Sequence, residues 1–210
     1  MIENDKHYAW VMYPARSTVA GCRLLPFSIG HALMLTRFGS PFVDLWQPGG
    51  DGTRKIALGD LALALWICSR QSTEAMGSIG SWWSRRSIKR IGRRLAKASD
   101  VDHVSQFVMY VVGGLTSPRV RKPSTSKDCA SPLLGILKLF VMDKLHLSHA
   151  EALNYPMSLA FWDRAISLDT LGFVNFMTQV DLDREEHARK LGDPEEIKRL
   201  FGIVGDDNGE

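Results

Sequence analysis

Cysteine is scarce in this chain of 210 residues: Cys22, Cys68 and Cys129 are widely separated and fall in no paired motif. An odd, scattered set excludes a disulfide framework and the paired-cysteine zinc modules. Long apolar runs are missing as well. The longest, Leu61 to Cys68, is far shorter than the roughly 18–20 residues a membrane span needs, so no transmembrane helix is expected. The opening residues, Met1 to Lys6, are polar and acidic with no apolar run behind them, which does not fit a secretory signal and leads us to expect a cytoplasmic protein. Gly49, Gly50 and Gly52 are not followed by Gly-Lys-Ser/Thr, so they do not make a phosphate loop. No stretch brings together a nucleophile, a base and an electrophile; we expect a protein that is not an enzyme and that uses no cofactor and no metal.

What the chain does have is ordinary globular chemistry. Apolar residues make up 45% and charged residues 23%, enough for a sizeable core in one compact domain or one domain with an appendage. Charge is unevenly placed. Residues 1–51 carry 4 basic and 4 acidic side chains, residues 52–127 carry 14 against 4, and residues 128–210 carry 8 against 15. The net charge of +3 therefore hides a strongly basic middle and an acidic C-terminal part, which a partner of opposite charge, an internal contact or a second copy of the chain would each satisfy.

Periodicity points to a mainly α-helical, irregular domain with three regions: an N-terminal helical region over 1–114, a basic linker over 115–130 and a C-terminal helical region with an acidic tail over 131–210. Residues 8–20 read as an extended arm or short strand. Ile29, Leu33 and Met34 suit a short helix ending near Gly39. Residues 47–54 are a turn cluster. From Ile56 to Ser69 apolar residues occupy every side of a helix, which predicts a central, buried one. Residues 71–84, rich in Ser and Gly, are expected to be a mobile connector ending in an aromatic anchor at Trp82 and Trp83. The valines at 101, 104, 108 and 111 suit a helix stopped by Gly113 and Gly114, with a strand as the alternative. Ser131 and Pro132 look like an N-cap followed by proline at the first helical position. Ser148 to Glu151 is a capping box. Pro156 must kink the next helix or make it end and restart. Asp193 to Glu196 opens a short terminal helix.

The run Ser84 to Lys97 holds the densest chemistry. At about 100° per residue, Arg85, Arg86, Lys89, Arg90, Arg93, Arg94 and Lys97 share one half of a helix, while Ile88, Ile91 and Leu95 share the other. Such a cationic face matches nucleic-acid phosphates, with Trp82 or Trp83 available to stack on bases; it also suits anionic lipid. The plainer account is a solvated face, or one docked on the acidic C-terminal segment. His146 and His149 lack the paired ligands of a zinc site, and His149 decorates the capping box. His31 lies on an apolar segment with no Ser or Cys motif beside it and reads as a core histidine; Cys68 reads as a small buried hydrophobe. Asp181, Asp183, Glu185 and Glu186 lack the glycine and terminal Glu of a calcium loop and read as acidic surface.

Two stretches carry a family resemblance. One runs from Leu24 through Pro26, Phe27, His31 and Leu35 to Gly39-Ser40-Pro41-Phe42; the other runs from Leu145 through Ser148, Glu151, Tyr155 and Pro156 to Trp162. Together they cover under a quarter of the chain. The first resembles products of bacteriophage morphogenesis genes, and the second is similar to the C-terminal helical part of phage tail-assembly chaperones and related small tail proteins. The resemblance implies a non-enzymatic protein in the host cytoplasm or the virion that binds apolar helical segments of a tail component such as the tape-measure protein. A chaperone of this kind needs an exposed apolar groove and a capacity to multimerise; Phe27, Leu33, Phe38, Tyr155, Phe161 and Trp162 are the candidates for it. Two other classes stay open: a basic nucleic-acid-binding module using residues 82–97 and 119–127, and a structural virion component. No membrane partner is expected.

Overall fold

A computed structural model describes residues 17–46, 55–97, 102–121, 131–177 and 180–184. They are mainly α-helical, as the periodicity predicts. The turn cluster at 47–54, most of the arm at 8–20 and the terminal helix expected after Asp193 lie outside the described residues.

The first elements are two short strands, β1 (Thr18–Val19) and β2 (Cys22–Arg23), paired antiparallel. Ala20 (φ 49°) and Gly21 (φ 70°) join them; positive φ at both central residues gives the tight turn whose twist matches a hairpin. Helix α1 (Ile29–Arg37) follows. Ser28 accepts the His31 amide through its hydroxyl, and the His31 ring accepts the Ser28 amide in return. A 3-10 turn at Pro41–Leu45 leads toward α2 (Leu58–Cys68), where Leu61, Ala62, Ala64, Leu65, Trp66, Ile67 and Cys68 are buried. That is the buried helix expected from the all-round apolar pattern, although its first turn, with Leu58, faces solvent.

The segment expected to be a mobile connector is instead helix α3 (Ser72–Ser78). Its sequence has weak helical propensity, and tertiary contact overrides it. Ser72 and Ala75 are fully buried, and Asn154, from the other end of the chain, accepts the Ser72 amide at 2.9 Å and donates to the Thr73 hydroxyl at 3.2 Å. Helix α4 (Trp82–Lys97) packs chiefly on α2, with the Ala62 methyl 3.9 Å from where a Cβ on Gly92 would stand. The valine-rich segment is helix α5 (His103–Gly114), capped by Asp102, and not a strand.

Within the basic linker, strand β3 (Val120–Arg121) pairs antiparallel with β4 (Asn175–Phe176), so its start is held against the C-terminal part of the chain. Helix α6 (Leu133–Lys144) begins one residue later than expected: Pro132 itself stands at the cap, and no side chain caps the end. Helix α7 (His149–Asn154) carries the predicted capping box, with Glu151 accepting the Ser148 amide at 2.9 Å and Ser148 accepting the Glu151 amide at 3.3 Å. Pro156 makes the chain end and restart, since α8 runs from Met157 to Thr170.

Helix α1 is the hub, touching α2, α3, α6 and α7. Gly30 makes this possible: a Cβ there would sit 2.5 Å from the Ser72 Cβ and 2.7 Å from the Leu153 carbonyl. Around α1 the main chain also pairs across the molecule, as Ile29 N donates to Tyr155 O (3.1 Å) and Met157 N to Phe27 O (2.8 Å). One core cluster accordingly draws on residues from both sides of the linker, from Val19 to Ala160.

Candidate functional site

Local chemistry explains why α4 starts where it does. Ser81 accepts the Ser84 amide through its hydroxyl (3.1 Å), and the buried Ser84 hydroxyl lies 2.8 Å from the Ile79 carbonyl. The helix thus begins two residues earlier than its sequence pattern indicates, and takes both tryptophans into its first turn. Ser84, Ile91 and Leu95 are buried and Ile88 is half-buried against the core. All seven cations, Arg85, Arg86, Lys89, Arg90, Arg93, Arg94 and Lys97, are exposed. None of them pairs with a described carboxylate.

Trp82 and Trp83 are 60% and 72% exposed. They are no anchor in the core, which corrects the expectation for the end of the 71–84 segment. At about 100° per residue both rings project into the half of α4 opposite Ser84 and Leu95, among the cations. Their centroids are 4.7 Å apart with the planes at 78°, and the Arg86 guanidinium lies 5.2 Å from the Trp82 centroid. Arg94 stands at the edge of this surface, with one guanidinium nitrogen close to the turn of the β1–β2 hairpin at Gly21. No acidic residue occurs between Glu74 and Asp100, so the surface carries no negative charge of its own.

The six residues expected to line an apolar groove do not come together as one surface. Phe27 is 2% exposed and Trp162 3%. Phe27 sits among Trp46 (5.6 Å) and Tyr110 (5.9 Å), and Trp162 stacks on Phe176 at 6.0 Å. Both are core residues, because folding has already taken their rings out of water. Leu33, Tyr155 and Phe161 are half-buried against the same core, and the Tyr155 hydroxyl donates to Asp163 at 2.6 Å. Phe38, at 42%, is the one among the six that is exposed.

Two titratable groups of the described interior, His31 and Cys68, are held in their neutral forms by burial. His31 keeps both ring nitrogens engaged, Nδ1 accepting from Ser28 N (3.2 Å) and Nε2 facing the Arg70 carbonyl at 2.8 Å. Burial drives its pKa down to about 4, so the neutral Nε2–H tautomer donates to that carbonyl. Burial pushes the Cys68 thiol up to about 12, leaving an inert small hydrophobe. Sequence reasoning missed Arg70, whose guanidinium lies 4.2 Å from the Trp66 centroid and donates to the Trp66 carbonyl at 2.7 Å. The i, i+4 spacing of Arg70 to both Trp66 and Glu74 was the available signal.

No known protein family, curated protein or solved structure matches this chain. Among the described residues no helix is long and apolar enough to cross a membrane.

Proposed function

We propose that this protein binds nucleic acid through the sugar-phosphate backbone, along the outward face of α4. One observation carries the reading: seven exposed cations lie on one half of a single helix, with no described carboxylate to neutralise them. Cations left in this state gain most from a ligand that is itself a dense line of negative charge, because binding releases the counterions condensed on it. Ile88, Ile91 and Leu95 of α4 are already packed in the core, so Trp82 and Trp83 are its only large apolar side chains left to enter a bilayer, which weighs against the lipid alternative. Such contacts give affinity without base sequence preference.

Measuring binding to a labelled oligonucleotide as salt is raised tests this. The logarithm of affinity should fall linearly with the logarithm of salt, with a slope of about −0.7 to −0.9 for each phosphate engaged. Replacing Lys89, Arg90 and Arg93 by Glu should abolish tight binding at physiological salt while leaving the helical circular dichroism intact. Salt-independent binding, or a triple variant that binds like the wild type, would overturn the reading.

A second reading keeps the tail-assembly function implied by the resemblance, with a tape-measure-type partner. It is supported by exposed apolar side chains outside the expected groove, Met109 and Val112 one turn apart on α5 and Leu139 on α6. Co-expression decides it: a tail component that stays soluble without this protein, or never co-purifies with it, removes it.

A further inference from the structure

We infer that the strand bound along α4 is unpaired, and that its bases stack on Trp82 and Trp83 while its phosphates run along Arg86, Lys89, Arg90, Arg93 and Lys97. This deepens the nucleic-acid reading and rests on it. A duplex hides the faces of its bases, so phosphate binding to a duplex would give two tryptophans nothing to do. Yet here two adjacent indoles stand 60% and 72% exposed in a helix whose other half has a core to pack against. Burial of rings this size is among the largest apolar gains available to a protein, and α4 forgoes it for both.

Their placement matches the chemistry of a stacked strand. The rings meet edge to face at 78° with centroids 4.7 Å apart, so one takes up a single face of the other and, at 60% and 72% exposure, both keep open ring surface for a base. The Arg86 guanidinium lies over the Trp82 ring, so a base that stacks there either takes that face by displacing the cation toward its own phosphate or stacks on the guanidinium plane itself. Both rings lie at the N-terminal end of the strip, and the cations continue from there to Lys97. At about 1.5 Å per residue the strip is roughly 22 Å long, suited to a short single-stranded site at the lower end of the usual range of about 4–16 nucleotides. A base offers a π-face whatever its identity, so the site should tolerate sequence.

Fluorescence anisotropy with a labelled single strand of about twelve nucleotides and the matching duplex tests the inference. Wild type should prefer the single strand, and its tryptophan emission should be quenched on binding. Trp82→Ala with Trp83→Ala should weaken single-strand binding about tenfold or more and leave duplex binding and the salt slope unchanged. The Phe pair, Trp82→Phe with Trp83→Phe, should recover part of the loss; it keeps the test sound if the Ala pair loses helix by circular dichroism. Equal affinity for duplex and single strand, unaltered in both variants, overturns the inference while the nucleic-acid reading stands. Failure to bind either oligonucleotide overturns both. Binding to phosphatidylserine-containing vesicles, with a blue shift in tryptophan emission and no oligonucleotide binding, would reassign the surface to a membrane face.

Discussion

His31 shows how one side chain sets a pH response. Its folded pKa of about 4 lies below the ordinary 6.5 because burial disfavours the charged ring; protonation of Nδ1 would in addition set a donor against the Ser28 amide. The unfolded chain therefore binds the extra proton first as pH falls. Stability is full above about 6.5, declines between about 6.5 and 4, and loses roughly 3 kcal/mol across that window. Chemical denaturation at a series of pH values should show this slope, and His31→Asn should flatten it whatever its effect at pH 7. Asp102 and Glu151 act lower. Hydrogen bonds from Ser105 and Ser148 hold their carboxyls below the usual range, so the stability they add is present above the unfolded carboxylate pKa and lost as pH falls through the folded one. At the capping box, Ser148→Ala should cost about 1 kcal/mol; an unchanged denaturation midpoint would show that the cap contributes nothing.

At the scale of elements, two glycines in helices predict opposite outcomes. Gly92 in α4 faces open contact: a Cβ would meet the Ala62 methyl at an ordinary 3.9 Å. Gly92→Ala should therefore stabilise by about 0.5–1 kcal/mol through helical propensity. Gly30→Ala in α1 must push apart α1, α3 and α7, where the Leu153 carbonyl is 2.7 Å from the new atom, and should cost about 1–3 kcal/mol or more. Thermal denaturation of the two variants reads both signs. The same contrast marks what was legible in the sequence. Ser148 with Glu151, the end-and-restart at Pro156 and the all-round apolar α2 follow from residues within a few positions of one another. Helix α3 did not, because its bond to Asn154 joins residues 82 positions apart, and no local rule anticipates that. The cationic face of α4 was readable from its periodicity, whereas the exposure of its tryptophans was not, since tryptophan is a highly buried residue on average. Nor does composition separate Phe27 and Trp162, which are core, from Phe38, which is not.

Among the described residues the cationic strip of α4 repels itself. Arg85, Lys89, Arg93 and Lys97 follow one another at i, i+4, as do Arg86, Arg90 and Arg94, and each like-charge pair opposes the helix. Added salt should screen these pairs, so the melting temperature of the free protein should rise by a few degrees between ~50 mM and ~300 mM. Bound nucleic acid should raise it at low salt and lose that effect at high salt. A melting temperature indifferent to salt would mean that the cations are neutralised by groups outside the described residues, and would weaken the argument for a polyanionic ligand.

The main-chain pairing of Ile29 with Tyr155 sets a clock on biosynthesis. Helix α1 leaves the ribosome about 126 residues before its partner, an interval of roughly 6–25 s at ordinary elongation rates. During that time α1 lacks the cover of α6 and α7, and the cationic α4 emerges before the core can close. Nascent chains stalled before His149 should be cut quickly by protease within α1, and chains extended past Thr170 should resist. Protection already complete in the shorter chains would show that α1 and α2 settle without waiting.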